Sequence, residues 1–145
     1  MFSAPLVIKE TGHNRWSVVE PFRFTSESGL VIDVPVGFET DLASVPQVFQ
    51  GLIGKVGYWS QAAVVHDWLY HRHRLGLDNT VTRKQADKIL LEGSIIKAEM
   101  YGVQGGDNRH AVMYQGVRLG GLMTWETPQE RSDRISTGDD EFLDG

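Results

Sequence analysis

The sequence changes from a strand-type to a helix-type pattern near residue 60, and this change limits the possible folds more than any other feature. Before it, segments rich in aromatic and β-branched residues, such as 16–24 and 30–34, are separated by Gly, Pro and Ser turn signals, which is typical of antiparallel strands. After it, apolar residues recur at helical spacing. We therefore predict an α+β fold with an N-terminal antiparallel β-hairpin or meander followed by about three helices.

Capping signals bound the three predicted helices. The first begins near Ser60 and ends near Gly76, the second opens at Thr82 with Gln85 in the capping-box position, and the third covers about 109–119. A short loop joins the first two helices, so we expect them to be antiparallel neighbours.

Length and composition indicate one domain with a tail. The chain has 145 residues, no cysteine and a formal net charge of −5. We assign residues 1–125 to a single α+β domain and residues 126–145 to a polar, acidic C-terminal tail that is flexible or bound to a partner. The lack of cysteine excludes disulfides, thiolate metal sites and a cysteine nucleophile. The acidic charge argues against direct nucleic-acid binding.

The sequence carries no segment typical of membrane insertion or export. None of its apolar runs reaches the roughly 18 residues that a bilayer span requires. Residues 1–10 lack the basic-then-apolar pattern of a signal peptide. We therefore expect neither a transmembrane segment nor a signal peptide.

His66 and Asp67 interrupt the apolar part of the first predicted helix, directly after the run 62–65. Buried titratable groups are costly unless they are paired. Tyr70 lies one turn after His66 on the same face. Asp87 lies about one turn into the second helix, so an antiparallel pair would place it opposite His66.

A carboxylate that accepts a hydrogen bond from one imidazole nitrogen fixes the tautomer and leaves the other nitrogen as a base. We therefore take His66 as a candidate general base, oriented by Asp87. The alternative is a buried hydrogen-bonded pair that only orients the helices, and the residues alone favour neither.

A divalent ion, calcium or zinc, is a separate possibility at this position. Asp67 offers one carboxylate, and Asp41 offers another from a proline-bounded loop. His71 and His73 add nitrogen donors, but they cannot face the same way on a helix, and the zinc-protease pattern is absent. Ser44, in the same loop as Asp41, is better explained as a loop-capping hydroxyl than as a nucleophile.

Four ordered motifs, within about residues 18 to 125, resemble the phage-associated family of unknown function called DUF1353. They are Val34-Pro35-x-Gly37-Phe38-x-Thr40-Asp41-x-Ala43-Ser44-Val45-Pro46, Ala63-Val64-Val65-His66-Asp67-Trp68-Leu69-Tyr70, Arg83-x-x-Ala86-Asp87 and Tyr114-x-x-Val117-Arg118-x-Gly120-Gly121. The resemblance implies a gene of a tailed bacteriophage or prophage and no settled activity. On this basis we predict a virion-associated structural or accessory protein of the tail, baseplate or neck. It would be made in the host cytoplasm and assembled with other phage structural proteins into an oligomer.

The pattern His66-Asp67-x-x-Tyr70 followed by Asp87 is also similar to that of the secreted phospholipases A2. That resemblance implies that His66 activates water, Asp67 binds calcium, and Asp87 with Tyr70 orients the histidine. Those enzymes brace their helices with disulfides, which this chain lacks, and only residues 37–41 could replace their calcium loop. The alternative function is therefore a small hydrolase that acts on lipid ester or cell-wall material during phage entry or lysis. A third hypothesis, a protein that modifies or binds a host factor, has no residue in its support.

Overall fold

The computed structural model describes residues 1–42, 57–78, 80–103, 106–121 and 125–137. Ser44 and the second half of its loop lie outside the described residues. Within them, antiparallel strands come first along the chain and helices follow. The predicted α+β fold is confirmed.

The described strands form two small antiparallel sheets, one in the order β1-β2-β5 and the other pairing β3 with β4. Their bounds are β1 (Ile8–Gly12), β2 (Arg15–Val18), β3 (Phe22–Thr25), β4 (Val31–Val34) and β5 (Glu39–Thr40). The segment 16–24 is split into two strands around Pro21, because proline cannot donate to a central ladder. In β2, Trp16 pairs with Thr40 of β5, and this register brings Thr40 to the buried side of its sheet.

Four helices are described, and the first two form the expected helix pair. Their bounds are α1 (Ser60–Arg74), α2 (Arg83–Met100), α3 (Gly106–Gly120) and α4 (Pro128–Thr137). Helix α2 packs against both α1 and α3. None of the helices in the described part of the chain is long and apolar enough to cross a bilayer.

The helix ends follow the sequence signals in part. The capping box is present at α2, where Thr82 accepts from the backbone of Gln85 and the Gln85 side chain accepts from the backbone of Thr82. Gly76 has a φ of 70° after α1, as a helix stop requires. Ser60 is not the N-cap residue of α1. That position is Trp59, and the Ser60 hydroxyl instead accepts the backbone N–H of Gly57 at 2.8 Å.

Helices α1 and α2 come closest where two small residues face each other. A Cβ added at Gly93 would lie 2.8 Å from the Cβ of Ala62. His66 lies about one turn further along α1, and Asp87 lies nearly two turns back along α2. The close contact therefore sets the distance between the two helices near this pair.

The core lies between the helix pair, α3 and the inner face of the β3-β4 sheet. In β3 and β4 the side chains alternate between buried and exposed, which is why one face of that ribbon contributes to the core. Among the most buried apolar side chains are Phe24, Val64, Val65, Leu90 and Met113. The site described next is a polar group of residues inside this core.

Candidate functional site

Asp87 is the centre of a buried hydrogen-bond network that joins three helices. Its Oδ1 accepts from His66 Nε2 at 2.7 Å and from the Tyr70 hydroxyl at 2.5 Å. Its Oδ2 accepts from Arg118 Nη1 at 2.9 Å, and Arg83 Nη1 lies 3.5 Å away. Asp87 is fully buried, and His66 is 2% exposed. The carboxylate is therefore compensated entirely by protein groups.

The charges around Asp87 favour its ionised form. Burial alone would raise its pKa, but hydrogen bonds from His66, Tyr70 and Arg118 outweigh this effect, so the pKa of Asp87 lies below its usual value. Burial and the neighbouring Asp87 carboxylate raise the pKa of Tyr70 well above its usual range. Tyr70 therefore stays protonated across the working pH range, and its hydroxyl donates a hydrogen bond to Asp87.

The same hydrogen bond fixes the tautomer of His66. Because ionised Asp87 can only accept, the Nε2 of His66 must carry the proton that it shares with Oδ1. In the neutral imidazole the basic lone pair then belongs to Nδ1. The rings of His66 and Tyr70 lie with their centroids 4.2 Å apart, so the two α1 side chains approach Asp87 together.

A cavity of about 830 Å³ reaches this network. His66, Asp67 and Tyr70 contribute to its wall from α1, and Gly120 and Gly121 contribute from the end of α3. A cavity of this size accommodates a small organic ligand. Its other lining residues include Arg15, Phe38, Thr40, Asp41, His71, Arg74, Val117 and Pro128.

Asp67 lies beside the network, but its hydrogen-bond donor, Thr40, belongs to the sheet. The hydroxyl of Thr40 donates to Asp67 Oδ2, and Thr40 in turn accepts the backbone N–H of Leu42 at 3.0 Å. Burial raises the pKa of Asp67 to about 7, although the hydrogen bond from Thr40 opposes this rise and the nearby Asp41 adds to it. Asp67 is therefore a carboxyl group whose ionisation is costly in the folded chain.

The backbone that follows Thr40 is strained. Leu42 has a φ of 56° and is fully buried. A bulky residue in the left-handed region costs on the order of 1 to 3 kcal/mol and persists only where its surroundings require it. This turn places Asp41 at the same cavity as Asp67.

The residues proposed as metal ligands do not complete a metal site among the described residues. Asp41 and Asp67 share the cavity, and His71 lines it too, but His73 faces another part of the chain. No group of three or more His, Asp or Glu side chains in the described ranges could hold a metal ion. Calcium takes about six to eight oxygen ligands, and zinc takes about four donors. The described donor set therefore does not fit either ion.

Two arginines of the network belong to the DUF1353-like motifs but were not predicted as site residues. Arg83 precedes Asp87 by four residues on α2, a spacing that pairs opposite charges on one helix face and could have identified it. Arg118 comes from α3, and no spacing rule connects it to Asp87. Arg83 Nη1 also donates to the backbone carbonyl of Arg118 at 3.1 Å, so the two arginines are held together.

Gly121 leaves the room that this arrangement needs. A Cβ at this position would lie 2.5 Å from the Tyr70 hydroxyl and 3.3 Å from Arg83 Nη1. At the neighbouring Gly120, an added Cβ would meet nothing within 4 Å. The second glycine is therefore required by the site, while the first is not.

The segment after α3 covers α1 on the far side of Tyr70. Trp125 stacks on His73 with ring centroids 3.9 Å apart and meets Tyr70 edge to face at 4.9 Å. Glu130 of α4 lies 3.0 Å from His73 Nε2. Helix α4 thus lies within the region assigned to the tail, although none of its own residues is buried. The flexible or partner-bound character of residues 126–145 as a whole stays a prediction.

Comparison with known proteins identifies a family but no characterised relative. A family model with the description "Protein of unknown function (DUF1353)" matches residues 16–117. No curated protein and no solved structure matches the chain. The matched range includes His66, Tyr70 and Asp87 and ends directly before Arg118.

Proposed function

The chain belongs to the DUF1353 family, whose description gives no activity, and we propose from the site geometry that it is a small hydrolase with His66 as general base. In this proposal, Asp87 and Tyr70 orient the imidazole. The observation that carries it is the 2.7 Å hydrogen bond from Nε2 of His66, which lines the cavity, to the fully buried carboxylate of Asp87.

The geometry supports a base rather than an acid at His66. Asp87 holds the proton on Nε2, so a second proton can only be taken up at Nδ1. A positioned imidazole typically accelerates proton transfer by about 10² to 10⁴. His66 lies on α1 and Asp87 lies on α2. These two helices are rigid elements, which keep the imidazole at a constant angle to the cavity.

The reaction that follows is hydrolysis of an acyl ester. Nδ1 of His66 takes a proton from a water molecule while the water oxygen attacks the carbonyl carbon. The tetrahedral intermediate then breaks its bond to the leaving oxygen, and the imidazolium returns the proton to that oxygen. One ester and one water give one acid and one alcohol, with His66 neutral again.

The cavity wall supports an ester with an apolar part. Phe38, Leu75 and Val117 are among its lining residues, beside the guanidinium groups of Arg15 and Arg74. Apolar walls with a few polar groups are typical of small-molecule sites. This wall and this reaction favour a lipid ester, and cell-wall material, which is joined by amide and glycosidic bonds, is the comparison substrate.

The test is hydrolysis of p-nitrophenyl esters of increasing acyl length, of phospholipid vesicles and of purified peptidoglycan. Each is assayed with EDTA and with added calcium or zinc, so that the rates with and without a divalent ion are compared. We expect His66→Gln to lower kcat/KM by at least about 100-fold while thermal unfolding stays cooperative. His13→Gln is the matched control, because His13 is exposed and contacts only Asn14 among the described hydrogen bonds. A wild-type chain inactive on every substrate, or a fully active His66→Gln, would contradict the proposal.

The virion association predicted from the family resemblance is compatible with this activity, because a tail or baseplate can carry an enzyme to the cell surface. No contact in the described residues favours it specifically. Its own test is mass spectrometry of purified phage particles, in which the chain should be present at a fixed copy number. Its absence from particles would leave the hydrolase proposal unaffected.

A further inference from the structure

We propose that Arg118 is a positioning residue of this site, which together with Arg83 holds Asp87 in the one orientation that directs Oδ1 to His66. The inference rests on the proposed function for its effect on catalysis. Its effect on the geometry of His66 can be tested without any substrate.

The two oxygens of Asp87 have separate partners. Oδ1 accepts from the imidazole of His66 and the hydroxyl of Tyr70, while Oδ2 accepts from Arg118 at 2.9 Å and faces Arg83 at 3.5 Å. Rotation of the carboxylate about its Cβ–Cγ bond would break these contacts together. The arginines therefore fix the orientation of the carboxylate, with one oxygen held towards His66.

The positive charges of Arg83 and Arg118 also keep Asp87 ionised. A buried carboxylate that had only neutral donors would tend to take up a proton. Protonated Asp87 would carry its own donor and would no longer require the proton of His66 to lie on Nε2. A guanidinium group stays charged in proteins, so Arg118 and Arg83 keep Asp87 an acceptor. Arg118 thus acts on His66 through Asp87, with no contact to a reacting atom.

The position of Arg118 makes α3 part of the site. Its side chain is 13% exposed, against 1% for Arg83, so a replacement at 118 leaves its polar end nearer to water. Its backbone carbonyl accepts from Arg83, which aligns the two guanidinium groups beside Oδ2. Arg118 is therefore the member of the pair that can be replaced with the smaller disturbance to the core.

The test compares Arg118→Gln with Arg118→Lys, and uses Arg23→Gln as the matched control. Arg23 also donates two hydrogen bonds to an aspartate, at 2.7 Å and 3.0 Å from Asp33, but on the exposed face of β3. The first readout is the downfield ¹H NMR resonance of the His66 Nε2 proton, assigned by its loss in His66→Gln. The second readout is kcat and KM on p-nitrophenyl butyrate.

We expect Arg118→Gln to shift or lose the His66 resonance and to lower kcat by about 10- to 100-fold, as for other groups that orient a functional side chain, with little change in KM. Arg118→Lys should keep the resonance and recover part of kcat, and Arg23→Gln should match the wild type in both. A folded Arg118→Gln with an unchanged resonance and unchanged kcat would overturn the proposal.

Two further outcomes are informative. If Arg118→Gln does not fold, the proposal is tested with Arg118→Lys alone. Loss of the His66 resonance in Arg118→Lys would then show that a positive charge at this position does not orient Asp87. If the wild type hydrolyses nothing, the proposed function fails, but the NMR comparison still confirms or overturns the role of Arg118.

Discussion

The hydroxyl oxygen of Tyr70 lies 2.5 Å from Oδ1 of Asp87, the same oxygen that accepts the Nε2 proton of His66. Replacing Tyr70 by Phe removes this donor and keeps the ring. Loss of a hydrogen bond to a charged group costs about 1.5 to 3 kcal/mol, so we expect urea unfolding at a lower midpoint and reduced hydrolysis. Tyr101→Phe is the control, since Tyr101 is 64% exposed and should give no change.

Gly120, the last residue of α3, and Gly121, which follows it, should respond differently to alanine. Gly121→Ala brings a methyl group into the space beside the Tyr70 hydroxyl and Arg83, and overpacking of this kind costs about 1 to 3 kcal/mol. Gly120→Ala meets open space and should be neutral or slightly stabilising. Thermal unfolding and hydrolysis of the same ester check both variants. Equal behaviour of the two would show that the site does not need the space at 121.

The stability of the chain should depend on pH through Asp67. The pKa of its carboxyl is about 7 in the folded chain, against an ordinary value of 3.8 in the unfolded chain, so the folded chain holds the extra proton between these values. The contribution of this group to stability is complete below about pH 4, falls as pH rises towards 7, and is lost above it.

Replacing Asp67 by Asn removes this dependence. We expect Asp67→Asn to be more stable than the wild type at pH 8, on the order of 2 kcal/mol because partial exposure to the cavity reduces the full effect, and nearly equal at pH 4. Urea unfolding at both pH values measures the difference. A wild type and variant that differ equally at both values would show that Asp67 does not titrate in this range.

Helix α4 should detach from α1 when the Glu130 carboxylate that faces His73 is removed. Burial opposes ionisation of Glu130, but hydrogen bonds from Thr127 and His73 outweigh it, so the pKa of Glu130 lies below its usual value. Ionised Glu130 therefore accepts from His73 Nε2 at neutral pH, and this acceptor is lost as pH falls through the lowered pKa of Glu130.

Glu130→Gln keeps an oxygen for the backbone of Thr127 but removes the charge that faces His73. We expect faster hydrogen exchange of the α4 amides in this variant, with exchange in α1 and α2 unchanged. Asp133→Asn is the matched control on the same helix, because Asp133 accepts from Gln129 within α4. If Asp133→Asn accelerates exchange as much as Glu130→Gln does, helix propensity rather than docking explains the effect.

Local pattern and helix geometry were sufficient to predict much of the centre of the molecule. The strand-to-helix order follows from side-chain periodicity, and the approach of Asp87 to His66 follows from a short joint between antiparallel helices. Both depend only on contacts between elements adjacent in the chain. Their proposed roles as base and orienting residue stay predictions.

The rest of the site depends on contacts that sequence spacing does not encode. Arg118 reaches Asp87 because of the angle at which α3 packs on α2, and Thr40 reaches Asp67 because of the register of β5 on β2. None of the residues of helix α4 is buried. Its sequence therefore does not show the apolar periodicity by which a helix is identified. Its contacts come from Glu130 with His73 and from a buried Glu126 paired with Arg134.

Arg118 contacts Asp87 across 31 positions of the chain. During synthesis from the N-terminus, α1 and α2 are therefore made before the residue that completes the network. A nascent chain that ends before α3 can pair His66 with Asp87 but leaves Oδ2 with Arg83 alone. The order of synthesis itself delays the finished site until most of the protein has been made, so a ribosome-bound fragment that ends before α3 would lack the contact of Arg118 with Asp87.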